Sequence, residues 1–302
     1  MKCTIQNIAD HLGLSRNTVS KALKNSSEVS ENTRNLVIKT ASKLGYKNAT
    51  FATPVIPASE TGSNGTILFL TRTYASDSEF WTTVLRGIES ILSNANYHLA
   101  ISIMSDSDLK QLNFPQTISD SSIKGIILVE ICDKVVCDAL SQFNLPIVSV
   151  DMPNVPFEEL NGIDVVTMES KKNLKKIINQ LIEKGAESFG FVGDLYSPNV
   201  SRGFQERYNA LSECLAEHQL PLNQKNCLLH QTPEDFRNFQ TTVNNLQAMI
   251  SLPDVFICGN DWTAIQLIYA LQFLGFQIPK DICVVGFDNI PAASRISPSL
   301  TT

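Results

Sequence analysis

A pair of short helical patterns hinged at one glycine occupies residues 4–24, TIQNIADHLGLSRNTVSKALK. Apolar residues of the first pattern recur at helical spacing up to Gly13, which ends it: Ile5, Ile8, Ala9 and Leu12. Ser15 is a favourable N-cap for the second helix, which turns Val19 and Ala22 inward. Two helices joined by so short a turn predict a helix-turn-helix, whose second helix enters the major groove of DNA.

The outward side chains of this second helix can all form hydrogen bonds, and none is negatively charged: Arg16, Asn17, Thr18, Ser20 and Lys21. Phosphates and base edges require such partners, and Arg16 and Asn17 lie on the first turn, where side chains reach the bases. Any surface helix also carries polar residues, so the prediction depends on the turn and on a third helix. That helix is predicted from the N-cap Ser30 to Gly45, with a buried stripe of Leu36, Val37, Ala41 and Leu44.

The charge distribution separates this head from the remainder of the chain. Residues 1–50 contain eight Lys and Arg against three Asp and Glu, a net charge of +5, whereas the whole chain carries −6. Residues 51–302 therefore carry −11. A basic head on an acidic body concentrates the attraction for phosphate in the head. We therefore predict a DNA-binding head over residues 1–47.

Residues 48–65, NATFATPVIPASETGSNG, have the composition of a linker. Pro54, Pro57 and two glycines stand among Ser, Thr and Asn, a mixture that sustains neither a helix nor a core. The remaining residues, 66–302, are numerous enough to bury a large core. The sequence thus predicts a head, a linker and a body in that order.

Short apolar runs alternate with helical patterns throughout the body. A first series contains TILFLT at 66–71, YHLAISIM at 97–104, GIILVE at 125–130 and PIVSV at 146–150. A second series contains SFGFVG at 188–193, NCLLH at 226–230, DVFICG from 254 and ICVVGF at 282–287. Runs that are apolar on both faces and joined by helices indicate parallel sheets covered by helices. We therefore predict an α/β body of two lobes, about 66–162 and about 163–290, with a cleft between them.

Polar and aromatic residues follow the predicted strands, where open α/β sheets bind their ligands. The first lobe supplies Arg72, Tyr74, Phe80, Trp81, Glu130 and Asp151, and the second supplies Asn260, Asp261, Trp262 and Asp288. Carboxylates, amides and an arginine beside aromatic rings suit a neutral polyol. An Asp at a strand end also often caps a helix or forms a turn, so the prediction rests on the joint position of these residues.

Other classes of protein find little support in the sequence. No apolar run approaches the ~20 residues that cross a bilayer, and the N-terminus lacks a signal region. The seven cysteines form no C-x-x-C pair, and several lie in apolar strands, which favours free thiols in the cytoplasm. The four histidines lack metal-ligand spacing, and no nucleophile-elbow, dinucleotide or phosphate-loop motif occurs. We expect no cofactor, no metal site and no enzymatic activity.

The head resembles the DNA-binding region of LacI/GalR-family transcriptional regulators, which share the pattern T-[IL]-x-[DE]-[IV]-A-x-x-[AL]-G-V-S-x-x-T-V-S-[RK]. Asn7 replaces the usual acid, and the matching positions are Thr4, Ile5, Ile8, Ala9, Gly13, Ser15, Thr18, Val19, Ser20 and Lys21. We predict DNA contacts from the second helix and from the residues that begin the helices around it. These residues are Thr4, Ser15, Arg16, Asn17, Thr18, Ser20, Lys21, Ser30, Thr33 and Arg34.

The body is similar to the periplasmic-binding-protein-like core of the same family, in segments such as FQERYNALSECLAEHQL and FICGNDWTAIQLIYALQFLGFQIPKDICVVGFDN. The resemblance implies that Arg207 grips hydroxyls or carboxylates of an effector. It assigns six further residues to the same cleft: Phe80, Trp81, Asp151, Asn260, Asp261 and Asp288.

Two segments depart from the family pattern. Typical members carry a hinge-helix motif where Pro54 and Pro57 stand here. They also continue past S-P-x-L-T-T through a further crossover, whereas this sequence stops at Thr302. We therefore expect either a fragment or a damaged protein, and a linker without the usual hinge helix.

Together these features predict a ligand-responsive repressor of a sugar uptake or catabolism operon. It is expected to bind partly palindromic double-stranded operator DNA as a homodimer, because one head buries too little surface for specific affinity. The resemblance implies a sugar or sugar derivative as the effector. The alternative is a sugar-binding protein of the same fold with impaired DNA binding. A sugar-modifying enzyme would need a general base pair, which the sequence does not show.

Overall fold

The computed structural model describes residues 4–23, 29–43, 63–72, 78–131, 133–151, 153, 155–195, 201–230 and 238–302. The chain divides into two compact units, Met1–Gly62 and Ser63–Thr302. Three predicted features lie outside the described residues: the end of the third helix at Gly45, the linker up to residue 62, and the site residue Tyr74.

The described part of the first unit contains three helices, α1 at Ile5–Leu12, α2 at Arg16–Leu23 and α3 at Glu31–Lys43. Gly13 adopts a left-handed conformation with φ of 62°, which a glycine reaches without steric cost, and it ends α1. The apolar residues that face the interior form one small core: Ile8, Ala9, Val19, Ala22, Val29, Val37 and Ala41. The predicted helix-turn-helix and the helix that follows it are confirmed.

The first turn of α1 shows why Asn7 can replace an acid. The side-chain oxygen of Asn7 accepts a hydrogen bond of 2.9 Å from the backbone N–H of Thr4. The hydroxyl oxygen of Thr4 in turn accepts one of 3.3 Å from the backbone N–H of Asn7. This reciprocal pair is a capping box, in which an amide oxygen serves as well as a carboxylate oxygen.

One predicted core residue of α3 is wrong. Leu36 is 51% exposed, whereas Val37, Thr40 and Ala41 are buried. Successive residues of a helix are rotated by about 100°, so the stripe centred on Val37 and Ala41 leaves Leu36 at its edge.

The first lobe of the body is built on a sheet of parallel strands. Its described strands are β1 at Gly65–Thr71, β2 at Tyr97–Ile103, β3 at Ile123–Val129, β4 at Ile147–Val150 and β5 at Ile163–Val166. They lie in the order β2-β1-β3-β4-β5. The helices of this lobe are α4 at Glu79–Asn94, α5 at Asp106–Gln111 and α6 at Lys134–Ser141.

The second lobe repeats this arrangement. Its described strands are β6 at Phe189–Asp194, β7 at Leu228–His230, β8 at Val255–Cys258 and β9 at Cys283–Val285, in the order β7-β6-β8-β9 and all parallel. Its helices are α7 at Lys172–Glu183, α8 at Arg202–Glu217, α9 at Phe239–Ala248 and α10 at Asp261–Phe273. The α/β body with parallel sheets is therefore confirmed.

The strand β5 corrects the predicted division between the lobes. The sequence prediction starts the second lobe near residue 163, but Ile163 pairs with Ile147 of β4, and Val166 pairs with Val150. This run, IDVV, has only four residues and is interrupted by Asp164, so hydrophobicity alone does not reveal it. The first sheet thus extends to Val166 before α7 begins the second lobe.

In each sheet, the direction in which successive strands are added reverses once. The chain runs from β1 outward to β2 and returns to β3 on the other side of β1, and it repeats this path with β6, β7 and β8. Ligands of open α/β sheets bind at the carboxyl ends of the strands beside such points. The ends of β1 and β3, and those of β6 and β8, are therefore the places to examine. None of the helices in the described residues is both long and apolar enough to cross a membrane.

Candidate DNA-contact helix and ligand cleft

In the head, the predicted hydroxyl residues occupy the starts of the helices. Ser15 accepts a hydrogen bond of 3.0 Å from the backbone N–H of Thr18, and its hydroxyl lies 2.8 Å from that of Thr18. Ser30 and Thr33 repeat this arrangement at the start of α3, with hydroxyl oxygens 2.8 Å apart. Together with the cap at Thr4, these hydroxyls stabilise the starts of the helices that carry the other predicted DNA contacts.

The remaining predicted residues of α2 form its outer surface. Arg16 and Asn17 are exposed on the first turn, and Ser20 and Lys21 are half-buried on the second. The opposite face of α2 buries Val19 and Ala22 completely, so the helix has a fixed orientation in the head. Contacts from Arg16 and Asn17 to bases stay a prediction, which this orientation favours.

Arg34 is held by the head itself. One guanidinium nitrogen, Nη2, donates a hydrogen bond of 3.1 Å to the backbone carbonyl of Val29. Val29 is buried in the core of the head, so this bond fixes the segment that leads into α3. Arg34 therefore has a structural role in addition to the DNA contact predicted for it.

In the body, two predicted residues meet at the point where the first sheet changes direction. The indole N–H of Trp81, on α4, donates a hydrogen bond of 2.7 Å to Oε1 of Glu130, which follows β3. Phe80 packs against Trp81 edge to face, with ring centroids 4.7 Å apart. Trp81 is only 9% exposed, so the pair forms a rigid wall with one carboxylate at its rim.

Arg72 lies at the end of β1 but is already engaged. Its guanidinium forms an ion pair with Asp106 at the start of α5. The positive charge of Arg72 is thereby balanced on the first lobe.

Asp151 brings the first lobe into contact with the second. It follows β4, has a φ of 61° and is 7% exposed. The hydroxyl of Ser201, which precedes α8, donates a hydrogen bond of 3.3 Å to Oδ2 of Asp151. Burial raises the pKa of Asp151, and the nearby Arg207 opposes that rise.

Arg207 is the central cation of the cleft. It is 2% exposed, and its Nη1 donates a hydrogen bond of 2.6 Å to the carbonyl of Gly259, which follows β8. Its guanidinium carbon lies 3.6 Å from the ring centroid of Phe287. Burial lowers the pKa of Arg207, and the neighbouring carboxylates of Asp288 and Asp151 oppose that effect.

Gly203 explains how Asp151 and Arg207 can face each other. A Cβ atom on Gly203 would lie 2.7 Å from Oδ2 of Asp151 and 2.9 Å from Nη2 of Arg207. Any larger residue would therefore occupy the space between the two charged groups. Among the described residues, Oδ1 of Asp151 and the Nε and Nη2 atoms of Arg207 are buried without a hydrogen-bond partner.

Two predicted ligand residues also have structural roles, and their contacts to a ligand stay a prediction. Asn260 caps α10, because its side-chain oxygen accepts a hydrogen bond of 2.9 Å from the N–H of Thr263. Asp261 is fully buried, and its Oδ2 accepts a hydrogen bond of 2.9 Å from the N–H of Ile290. The charge of Asp261 acts on Arg207 and Asp288. Trp262 is 38% exposed on the first turn of α10.

Asp288, which follows β9, has a strongly raised pKa. Burial, the opposing charge of Arg207 and the like charges of Asp261 and Asp151 together raise its pKa to about 7, and burial has the largest effect. Asp288 also lines a groove of about 340 Å³ in the second lobe with Glu169, Asn173, Phe287 and Asn289, among others.

Sequence reasoning missed two aromatic residues. Phe204 lies over the glycines at the ends of β6 and β8, and a Cβ atom on Gly259 would be only 2.2 Å from its ring. Phe287 supports Arg207 from the end of β9. Glycines at the ends of two buried strands are the sequence signal for such close contact, but the residue that packs on them is not evident from spacing. In the described part of the chain, no group of three or more His, Cys, Asp or Glu residues could hold a metal.

The head and the body define a class of protein: a helix-turn-helix DNA-binding unit joined to a two-lobed α/β body with a polar cleft. Residues 4–48 match the bacterial regulatory proteins of the lacI family, and residues 178–302 match the periplasmic binding protein-like domain. Within the chain, a lacI-family DNA-binding head is thus followed by a periplasmic binding protein-like domain.

Similar proteins span the whole chain. Catabolite control protein A of Staphylococcus xylosus is 27% identical over 307 residues, which cover 100% of this chain and 87% of that protein. The structure of the transcriptional regulator CelR in complex with cellobiose has a TM-score of 0.66 at 18% identity, covering 99% of this chain and 86% of that one. The lac repressor dimer bound to operator and the anti-inducer ONPF has a TM-score of 0.63 at 18% identity, with 99% and 86% covered.

Proposed function

We propose that this protein is a transcriptional repressor that binds operator DNA as a homodimer and alters its DNA affinity when a polyol, a sugar or sugar derivative, enters the cleft. The proposed organisation is a head at residues 1–47, a linker at 48–65 and an effector-binding body from residue 66. The main support for the proposal is that Asp151 and Arg207, which come from different lobes, both lie against Gly203. Each of them has buried polar atoms without a hydrogen-bond partner among the described residues.

A hydroxyl group suits this arrangement because it both donates and accepts hydrogen bonds. It can donate to Oδ1 of Asp151 and accept from Nη2 of Arg207, so one ligand group satisfies both lobes. A buried polar atom left without a partner costs about 1–3 kcal/mol. A ligand that supplies both partners therefore stabilises the arrangement in which the lobes approach, by its differential affinity for that arrangement.

Further contacts between the lobes favour such coupling. Arg202 of α8 donates to the carbonyl of Val155 and stacks on Phe157, with its guanidinium carbon 4.0 Å from the ring centroid. Glu79 of α4 accepts a hydrogen bond of 3.0 Å from the N–H of Ala292. A change in the approach of the lobes would thus alter bonds on both sides of the cleft.

The DNA-binding part of the proposal rests on the exposed first turn of α2 and on the related regulators. A helix-turn-helix dimer reads two half-sites about one helical turn apart. The lac repressor dimer bound to its operator, and CelR with cellobiose, support the same arrangement and the same kind of effector here.

The test is a DNA-binding titration with the full chain. Genomic fragments are first selected by gel shift, and a panel of sugars and sugar derivatives is then added to the selected complex. We expect a fragment with a partly palindromic site and at least one polyol that changes its affinity. Binding of a polyol without any specific DNA fragment would support the alternative, a sugar-binding protein with impaired DNA binding. Chemical conversion of the polyol would instead indicate an enzyme.

A further inference from the structure

Three consecutive residues at the start of α8 contact one loop of the first lobe. Ser201 donates a hydrogen bond of 3.3 Å to Asp151, against which Gly203 also lies. Arg202, between them, donates to the backbone carbonyl of Val155. Both partners belong to the loop that connects β4 to β5. The first turn of a helix of the second lobe is therefore bound directly to the first lobe.

Arg202 makes two different interactions in this contact. Besides its bond to Val155, its guanidinium carbon lies 4.0 Å from the ring centroid of Phe157. Arg202 is 9% exposed, whereas Phe157 is 53% exposed, so the ring forms the outer side of the contact. A cation over an aromatic ring and a charged donor on a carbonyl both bind more strongly where water is excluded.

Both sides of the contact are anchored in their own lobes. In the loop, Leu160 is buried, and the backbone N–H of Asp151 donates a hydrogen bond of 2.8 Å to the carbonyl of Val166 in β5. In α8, Ala210 and Leu211 are fully buried in the core of the second lobe. A bond between two anchored segments restrains the approach of the lobes, not only the position of the loop.

One atom of Arg202 limits the strength of this contact. Its Nε is buried without a hydrogen-bond partner among the described residues. Burial of such an N–H costs free energy, which hydration restores when the lobes separate. Glu206, whose Oε1 lies 3.9 Å from Nη1 of Arg202, is on the same helix and moves with it. The contact therefore favours the closed arrangement but can open.

We propose that Arg202 is a positioning residue, which holds the β4–β5 loop on the start of α8 and so sets the approach of the lobes before an effector binds. All its partners belong to the chain itself, so the contact needs no effector. The proposal goes beyond the proposed function and rests on it for the role of the cleft. An effector then enters when the contact opens and binds an arrangement that is already favoured, which lowers the free-energy cost of binding.

A second contact between the lobes provides an independent reporter. The backbone N–H of Ala292, in the second lobe, donates a hydrogen bond of 3.0 Å to Oε2 of Glu79 on α4. Glu79 is exposed, so water competes for this bond and it holds the lobes only weakly. Separation of the lobes would expose the N–H of Ala292 to exchange with solvent.

The test is hydrogen exchange of the full chain without effector, measured by mass spectrometry for the parent protein and Arg202→Ala. We expect exchange to be about tenfold faster in the peptides that contain Leu160, Gln205 and Ala292. The first two report the loop and the start of α8, and the third reports separation of the lobes. Exchange of α10, in the core of the second lobe, should be unchanged.

Three further variants define the contact. Arg202→Lys retains a charge and a donor but has no planar face to stack on Phe157, so its effect should be intermediate. Phe157→Ala should also speed exchange in the parent but add little to Arg202→Ala, because the two side chains act as a pair. Arg86→Ala, which removes an exposed arginine of α4, should have no effect. If Arg202→Ala does not fold, Arg202→Lys and Phe157→Ala test the same expectation with smaller effects.

Three outcomes would overturn the proposal. Faster exchange in α10 as well would show that Arg202 contributes only to general stability. Faster exchange near Leu160 and Gln205 but not near Ala292 would show that it holds only the loop. Unchanged exchange in all peptides would show that the contact does not hold the lobes. The proposed function fails on a different observation, if no sugar in the DNA titration alters DNA binding.

Discussion

The head and the body differ in the sequence separation between their functional side chains and the hydrogen-bond partners of those side chains. In the head, Thr4 bonds to Asn7, Ser15 to Thr18 and Arg34 to Val29, across three to five residues. In the body, Arg207 reaches Gly259 across 52 residues, and Glu79 reaches Ala292 across 213. The DNA-contact surface is thus fixed by one local motif, whereas the cleft exists only after both lobes have folded.

This difference predicts separable effects of mutation, and the largest concerns the cleft. Arg207→Ala removes the cation that faces Asp151 and leaves ligand oxygens without donors, at a cost of about 2–3 kcal/mol in effector affinity. Affinity for operator DNA without effector should be nearly unchanged, because the head does not contain this residue. Calorimetry with the effector, combined with DNA titration, checks both expectations.

Arg295→Ala is the matched control, since Arg295 is an exposed arginine of the same lobe. It should retain both effector affinity and response. If Arg207→Ala binds the effector as tightly as the parent protein, Arg207 has only a structural role.

The second prediction concerns the head. Arg16 is exposed on the first turn of α2, where an arginine can form two hydrogen bonds to guanine. Arg16→Ala should weaken binding to the operator by about 1–3 kcal/mol and reduce the preference over random DNA. Lys39→Ala, which removes an exposed charge from α3, should leave that preference intact. Equal losses of Arg16→Ala on operator and random DNA would argue against base recognition by this residue.

The third prediction concerns the pH dependence of stability, which the groups around Asp288 determine: Arg207, Asp151 and Asp261. The folded pKa of Asp288, about 7, lies above the ordinary value of 3.8, so the folded state retains a proton that the unfolded chain releases. This stabilisation is complete below about pH 4 and is lost as the pH rises towards 7. Asp288→Asn should flatten that decline by on the order of 1 kcal/mol.

Urea denaturation of the parent, Asp288→Asn and Asp164→Asn proteins between pH 4.5 and 8 measures this effect. The profile of Asp164→Asn should follow the parent, because its carboxylate is exposed. A parallel decline in all three proteins would show that Asp288 does not cause it.

The same contrast determines what could be predicted from the sequence. Helix caps and the break at Gly13 act within one turn, so the spacing of TIQNIADHLGLSRNTVSKALK is sufficient to predict α1 and α2. The strands that are apolar on both faces can also be predicted from the sequence, but β5, with the sequence IDVV, cannot. In the cleft, the contact of Phe204 with Gly193 and Gly259 depends on the pairing of β6 with β8. The hydrogen bond that Asp261 accepts from the N–H of Ile290 likewise joins two residues that no spacing rule connects.

The last prediction has the smallest expected effect and concerns the local hydrogen bonds that stabilise the head. Asn7→Ala removes the oxygen that accepts the N–H of Thr4 at the start of α1, which should lower the stability of the head by about 0.5–1 kcal/mol. Asn7→Asp keeps an acceptor and should retain the parent stability, since a carboxylate near a helix N-terminus is favourable. Thermal unfolding monitored by circular dichroism measures the stability of the head in both variants. The effector affinity of the body should be the same in each, because the described hydrogen bonds of Asn7 are to Thr4, the N-cap of α1. A change in effector affinity would show that the two units are more closely coupled than their separate contacts indicate.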